Sequence, residues 1–285
     1  MKSIGIVGQG FVGTAVNEGL AKHYNIETYD IAKESTCNSL EELEKKSDII
    51  FVCLPTPMTD PEGGECNLSI LENFFKEASS TKTEAIFIIK STVPVGTTDR
   101  MCELYPHMNI VHNPEFLTAA NAEYDFVNAD RHVIGGDSDL TLKVATLYEN
   151  VFPTIPVYKM RSKESECVKY FANCFLASKV MVFNEMKMLC DNLPGVSYEK
   201  ILDGVCSDDR IGDSHTFVPG PDGDYGFGGT CFPKDINSLI HIMKDNGIDP
   251  LVLQAVWNQN KNYRQNWDWA NNQSAVLGKS ETYQG

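Results

Sequence analysis

With 285 residues, 42% of them hydrophobic and 10% aromatic, the chain has material for two modest domains and too much of it for a disordered segment. Its 24 Lys and Arg against 39 Asp and Glu leave a net charge of −15, which argues against nucleic acid or an anionic membrane as partner but allows a small anionic ligand in a local positive field. Nine cysteines stand singly with no CxxC pair, so neither a disulfide framework nor a metal site is expected, and a reducing cytoplasm is the natural compartment.

The N-terminus enters a strand at once, with no charged-then-apolar leader. Residues 3–7 (SIGIV) are followed by GQGFVG, in which Gly8, Gly10 and Gly13 satisfy G-x-G-x-x-G. The first glycine permits a tight turn, the second lets the backbone approach a pyrophosphate, and the third lets a helix pack on the strand. Phe11 and Val12 open that helix, and Ala15, Val16, Gly19 and Leu20 continue its apolar face. A second strand, NIETYD, ends in Asp30, where a carboxylate accepts hydrogen bonds from an adenosine ribose. That acid favours NAD over NADP; Lys33 is placed with the cofactor-binding residues although it can equally be a solvated cation. The plain alternative is a βαβ turn with no ligand.

The alternation continues through DIIFVCLP (48–55), AIFIIKS (85–91), MNIVHN (108–113) and RHVIGG (131–136), apolar runs of the kind found in buried parallel strands. A Rossmann-type doubly wound parallel sheet follows, with ligands at the carboxyl ends of its strands. CLPTPM, KSTVPVGT and HNPEF occupy three of those ends.

After TIPVY (154–158) a helix is expected from Ser162 to about Asn192. Lys169, Asn173, Lys179, Asn184, Glu185 and Lys187 interrupt it too often for a membrane span. Apolar residues on nearly every face predict burial against several neighbours, including a second subunit, so a homodimer through 162–192 is expected. The domains read as 1–160, cofactor-binding, and 161–285, all-helical and central. Lys169 and Asn173 share a face, four residues apart. They are either a snorkelling stem and an interhelical amide, or a donor pair aimed at a developing oxyanion. Finally, GFGGTCFPKD places Cys231 between a glycine-rich loop and a helix starting near Pro233. A cysteine at a turn is most often a small hydrophobe. A helix N-terminus and an adjacent lysine, Lys234, are the surroundings that favour a thiolate, and Asp235 follows in the first turn.

Together, GQGFVG, CLPTP, KSTVPVGT, NPEFL, ESECVKYFANCFLASKVMVFNE, DDRIG and GFGGTCFPKD resemble the UDP-glucose/GDP-mannose dehydrogenase family. The resemblance implies four-electron oxidation of a nucleotide-sugar primary alcohol, UDP-glucose foremost, to a carboxylate with two NAD per turnover. By motif position Cys231 attacks the aldehyde-level intermediate, Lys169 and Asn173 stabilise oxyanions, Asp235 and Thr92 position water or relay protons, and Glu115 assists thioester hydrolysis. The resemblance extends the cofactor set to Thr56, Thr92, Glu115 and Lys234. It assigns the sugar to Glu115, Phe116, Leu117, Lys169, Asn173, Arg210, Phe217, Gly228 and Cys231. Two departures stand out: Ala119 where relatives often carry a second glutamate, and a polar end (NQNKNYRQNWDWANNQS) with too little β pattern for the third, nucleotide-clamping domain of relatives. Alternatives are the same chemistry on GDP-mannose or a UDP-N-acetylhexosamine, a two-electron hydroxyacid-type dehydrogenase, and a non-catalytic NAD-binding regulatory protein.

Overall fold

The computed structural model describes residues 3–118, 120–278, 281 and 283. Short runs of β-branched and aromatic residues make seven strands: β1 (Ile4–Val7), β2 (Ile26–Tyr29), β3 (Ile49–Val52), β4 (Ile86–Ile89), β5 (Asn109–His112), β6 (His132–Gly135) and β7 (Val157–Met160). They form one sheet in the order β2-β1-β3-β4-β5-β6-β7. The pairs are parallel except β5 with β6, which meet antiparallel at His112 and Gly135. This one reversal departs from the all-parallel expectation. It sets the end of β6 beside the end of β5, and Asn113, just past β5, donates through Nδ2 to the Val133 carbonyl within β6.

Strand residues alternate between two apolar layers, as a period of two requires. Ile4, Ile6, Phe51, Ile88 and Val111 pack with α1 (Phe11–Leu20), α5 (Ala122–Val127) and α6 (Ser138–Val151). Val7, Ile50, Val52, Phe87 and Ile110 pack with α2 (Leu40–Lys46), α3 (Ser69–Ala78) and α4 (Thr97–Leu104). Helices on both faces explain why β1, β3 and β4 carry no exposed position.

The second half is helical: α7 (Ser162–Asp191), α8 (Tyr198–Cys206), α9 (Phe232–Asp245) and α10 (Leu251–Tyr263), followed by a 3-10 turn, Asp268–Asn271. The chain divides into two compact units, and the division falls inside α7, between Lys169 and Tyr170, rather than at residue 160. Residues 57–66, which follow β3 in sequence, belong with the helical unit. The reason is polar: Trp257 Nε1 and Lys261 Nζ donate to the Glu62 carbonyl, and His241 Nε2 pairs with the Gly63 carbonyl. No helix among the described residues is long and apolar enough to cross a membrane.

The expectation that α7 is buried all round holds for one face only. Tyr170, Cys174, Ala177 and Met181 are buried, whereas Phe171, Phe175 and Leu189 are 60%, 69% and 60% exposed in the single chain.

Candidate active site

The glycine loop has the geometry its spacing implies. Gly8 sits at φ 84°, and a Cβ there would stand 2.5 Å from the Cys53 carbonyl oxygen. At Gly13 a Cβ would overlap the Gly8 carbonyl, so close helix–strand packing requires glycine. Gly10, the N-cap of α1, has nothing within 4 Å of its Cβ position, which leaves open backbone at a helix N-terminus. Asp30 closes the loop from the end of β2. Its Oδ2 accepts from Gln9 N at 2.6 Å and its Oδ1 from Ala32 N at 2.9 Å. Lys33 Nζ donates to the Gln9 carbonyl at 2.7 Å, so it clasps the loop. An open glycine at a positive helix end with a carboxylate beside it fits a dinucleotide. Phe11 is 37% exposed at the start of α1, with Val12 behind it.

The carboxyl ends of β3, β4 and β5 carry a denser polar cluster. Thr56 Oγ1 donates to the Thr92 carbonyl at 2.6 Å, tying the loops after β3 and β4 together. Lys90 Nζ donates to Asn113 Oδ1 at 3.0 Å, which also accepts from Tyr148 OH at 2.5 Å, and Asn113 Nδ2 donates to the Val133 carbonyl. Burial pushes Lys90 down to about 8, against the opposing pull of Cys53 and Glu115. Burial likewise pushes the Cys53 thiol up to about 12, so it is an inert neighbour. His132 stacks on Tyr148 with ring centroids 3.9 Å apart. Burial holds His112 and His132 near 3, which keeps both neutral.

Glu115 and Lys169 form an ion pair at 2.8 Å, with 7% and 2% of their side chains exposed. Lys169 Nζ also donates to the Glu115 carbonyl at 2.6 Å, and Leu117 N donates to Glu115 Oε2 at 2.7 Å. Phe116 lies under Arg131, whose Cζ is 4.3 Å from the ring centroid. Lys90, Glu115, Phe116, Leu117, Arg131 and His132 are among the residues lining a cavity of about 200 Å³. Glu166, in the first turns of α7, accepts from Gly96 N, Thr98 N and Thr98 Oγ1, fixing the KSTVPVGT loop.

In the helical unit Cys231 is the N-cap of α9, with Pro233 in the first turn. Cys231 as a residue is neither buried nor fully exposed. Asp235, 1% exposed, accepts from Asn173 Nδ2 at 2.6 Å and pairs with Lys234. Burial opposes the charge on Lys234, but Asp235 and Cys231 outweigh it and hold the ammonium above its ordinary value. Below this turn Tyr170 OH pairs with Ser238 Oγ at 2.8 Å, and Cys174 Sγ donates to the Asp235 carbonyl. None of the nine cysteines is in a disulfide. No group of His, Cys, Asp and Glu that could hold a metal occurs among the described residues.

Of the residues singled out from sequence, Glu115 with Lys169, and Asn173 with Lys234 and Asp235 beside Cys231, are brought together. Lys169 and Asn173 each donate to a carboxylate of their own, Glu115 and Asp235 respectively. Arg210 is 89% exposed in its side chain and paired with Asp208, and Phe217 is 65% exposed. Gly228 packs against Arg264 and Asp268. Ala119 lies outside the described residues. Sequence reasoning missed Lys90, Asn113, Tyr148, Glu166 and Gln9. Lys90 had a signal, a charge closing the apolar run AIFIIK; Tyr148 had none, since a tyrosine on an apolar helix face is ordinary.

Residues 28–152 match the NAD binding domain of the UDP-glucose/GDP-mannose dehydrogenase family, and residues 163–262 match its central domain. The chain is 34% identical over 227 residues to UDP-glucose 6-dehydrogenase YwqF of Bacillus subtilis, covering 76% of this chain and 49% of that one. It is 35% identical over 242 residues to a UDP-glucose 6-dehydrogenase of Pseudomonas aeruginosa, covering 80% and 51%. The chain thus spans about half the length of the curated relatives it matches. Among solved structures, a UDP-glucose dehydrogenase from Pyrobaculum islandicum superposes with a TM-score of 0.79 at 27% identity, over 92% of this chain and 68% of that one.

Proposed function

Because the chain belongs to the UDP-glucose/GDP-mannose dehydrogenase family and carries its NAD binding and central domains, we propose that it oxidises the primary alcohol of a nucleotide sugar to the carboxylate. UDP-glucose is the substrate favoured, on the names of the relatives. The observation that carries the reading is Cys231 at the start of α9, within one turn of Lys234 and of the Asn173–Asp235 contact.

NAD, when bound, would supply the hydride acceptor for the two oxidations, alcohol to aldehyde and thiohemiacetal to thioester. The Gly8–Gly13 loop and Asp30 hold its pyrophosphate and ribose. The Cys231 thiolate adds to the aldehyde carbon, forming a C–S bond and leaving the former carbonyl oxygen as an alkoxide that takes up a proton. Asn173 Nδ2 and the Lys169 ammonium donate to oxygens that gain negative charge, and both are pre-oriented by their carboxylates. Water then attacks the thioester carbon; the C–S bond breaks, the carboxylate leaves and the thiolate returns. Glu115 and Asp235 take up the two protons that this water loses as its oxygen becomes part of the carboxylate, and Thr92 positions the water. Arg210 and Phe217, exposed on the helical unit, are proposed sugar contacts. The exposed apolar face of α7, with Phe171, Phe175 and Leu189, supports a second copy of the chain as its cover.

The test is the ratio of NADH formed to substrate consumed across UDP-glucose, GDP-mannose and UDP-N-acetylhexosamines. Two NADH per UDP-glucose is the expected result. One per substrate points to a two-electron dehydrogenase. NAD binding without turnover on any sugar removes the enzymatic reading.

A further inference from the structure

The reaction above does not account for the chain beyond α10. The central-domain match ends at residue 262, yet Arg264, Trp269, Ala275 and Leu277 are all buried. Trp269 Nε1 donates to the Pro61 carbonyl at 3.1 Å, while Met58 N donates to the Ala275 carbonyl and Leu277 N to the Met58 carbonyl, each at 2.8 Å. The segment is therefore built into the helical unit.

Two of its side chains reach the loop that leads to Cys231. Arg264, 6% exposed, donates through Nη1 to Asp222 at 2.6 Å, through Nη2 to Asp268 Oδ1 at 3.3 Å and through Nε to the Asn266 carbonyl at 3.1 Å. Asp268 Oδ2 accepts from Gly229 N at 2.9 Å, two residues before Cys231. Gly228 is backed against the same pair: a Cβ there would overlap Asp268 Oδ1 and stand 2.5 Å from Arg264 Nη2. The backbone needs such a grip. Gly226, Gly228 and Gly229 precede the thiol, and glycine loses more conformational freedom on ordering than any other residue. Upstream, Gly226 N is held by Asn184 Oδ1 and Phe227 N by Asn260 Oδ1, and Asp268 adds a hold on the backbone two residues before Cys231.

We infer that Asp268 is a positioning residue for Cys231: with one oxygen on Arg264 and the other on the Gly229 N–H, it fixes the chain two residues before the thiol and hence where the sulfur sits at the start of α9. The inference rests on the reading of Cys231 as the nucleophile. It assigns to a segment outside the family match a part in the reaction.

The test uses the full chain and two readouts. One is the rate at which iodoacetamide alkylates Cys231, followed by mass spectrometry of its peptide; the other is kcat and KM on the sugar that gives turnover. In Asp268→Ala, alkylation and kcat fall about tenfold while KM for NAD is unchanged, as a small misplacement of a reacting group predicts. Asp268→Asn, which keeps an acceptor oxygen, stays within about twofold of the unaltered chain. Gly228→Ala, which wedges the same contact from the loop side, gives a similar loss in the unaltered chain and a smaller one on top of Asp268→Ala, because coupled residues are not additive. Unchanged alkylation in folded Asp268→Ala overturns the inference, as does an Asn variant as slow as the Ala variant. Should Asp268→Ala not fold, Gly228→Ala decides: a slowed rate supports the brace and an unchanged one removes it. If no sugar is turned over but alkylation responds as stated, the nucleotide-sugar reading fails while the brace stands.

Discussion

The two units hold their chemistry-bearing loops in different ways. In the sheet unit the loops leave the ends of β3, β4 and β5, whose ladders already fix where each begins. A few buried polar groups, Lys169 with Glu115 and Lys90 with Asn113 and Tyr148, then set the local geometry. In the helical unit no ladder leads to Cys231. Its loop is held by side chains reaching backbone: Asn184 to Gly226, Asn260 to Phe227, Asp268 to Gly229. A loop on a sheet edge inherits its position, whereas a glycine-rich loop between helices has to be pinned residue by residue.

That contrast can be broken at several points, and the largest effect belongs to the sulfur itself. Cys231→Ser should lower carboxylate formation by at least about a thousandfold, the loss expected when a covalent nucleophile is removed. NAD affinity, which belongs to the sheet unit, should be unchanged by calorimetry. Turnover at the unaltered rate discards the covalent route.

Lys169→Met probes the other unit. It leaves Glu115 buried without its cation, and breaking a buried pair from one side costs about 3–5 kcal/mol. Urea unfolding would show this as a lowered midpoint; a midpoint within experimental scatter means that Glu115 finds another partner or a proton.

Asn260→Ala sharpens the helical side. Its amide meets Phe227 twice, Oδ1 accepting at 2.7 Å and Nδ2 donating at 3.0 Å. Leaving both buried backbone groups unpaired should cost about 1–3 kcal/mol. Hydrogen exchange should rise at residues 226–231 and stay unchanged in the strands; uniform loosening would contradict pinning residue by residue.

The smallest effect is a pH slope confined to the sheet unit. His112 and His132 are held near 3 by burial, below the ordinary histidine value of about 6.5. The unfolded chain therefore binds more protons than the folded one between those values. Stability is complete above about pH 6.5 and declines as pH falls, by up to about 1.4 kcal/mol per pH unit for each histidine. His132→Phe, which keeps an aromatic ring against Tyr148, should remove one histidine's share of the slope between pH 7.5 and 5.5. An unchanged slope would show that His132 charges without unfolding.

The sheet was legible because burial on both faces writes continuous apolar runs, as in IIFV and IFII, and because the glycine spacing has few other uses. The start of α7 at Ser162 and of α9 at the FPKD stretch were legible for similar reasons, a periodic stripe and a proline in the first turn. The reversed β6 was not, since RHVIGG reads alike in either direction. Nor was the transfer of residues 57–66 to the helical unit, which depends on Trp257, Lys261 and His241, about 180 to 200 residues away in sequence.

The sequence by itself determined the dinucleotide cradle, the family, and a cysteine ahead of a helix, because each is written in neighbouring residues whose spacing carries its physical reason. Only the tertiary structure decided which carboxylate Lys169 and Asn173 each serve, that Lys33 clasps the glycine loop, and that the segment after α10 turns back to hold Gly229. Those are contacts between distant residues, and a carboxylate or an amide gives no local sign of the partner that burial will oblige it to find.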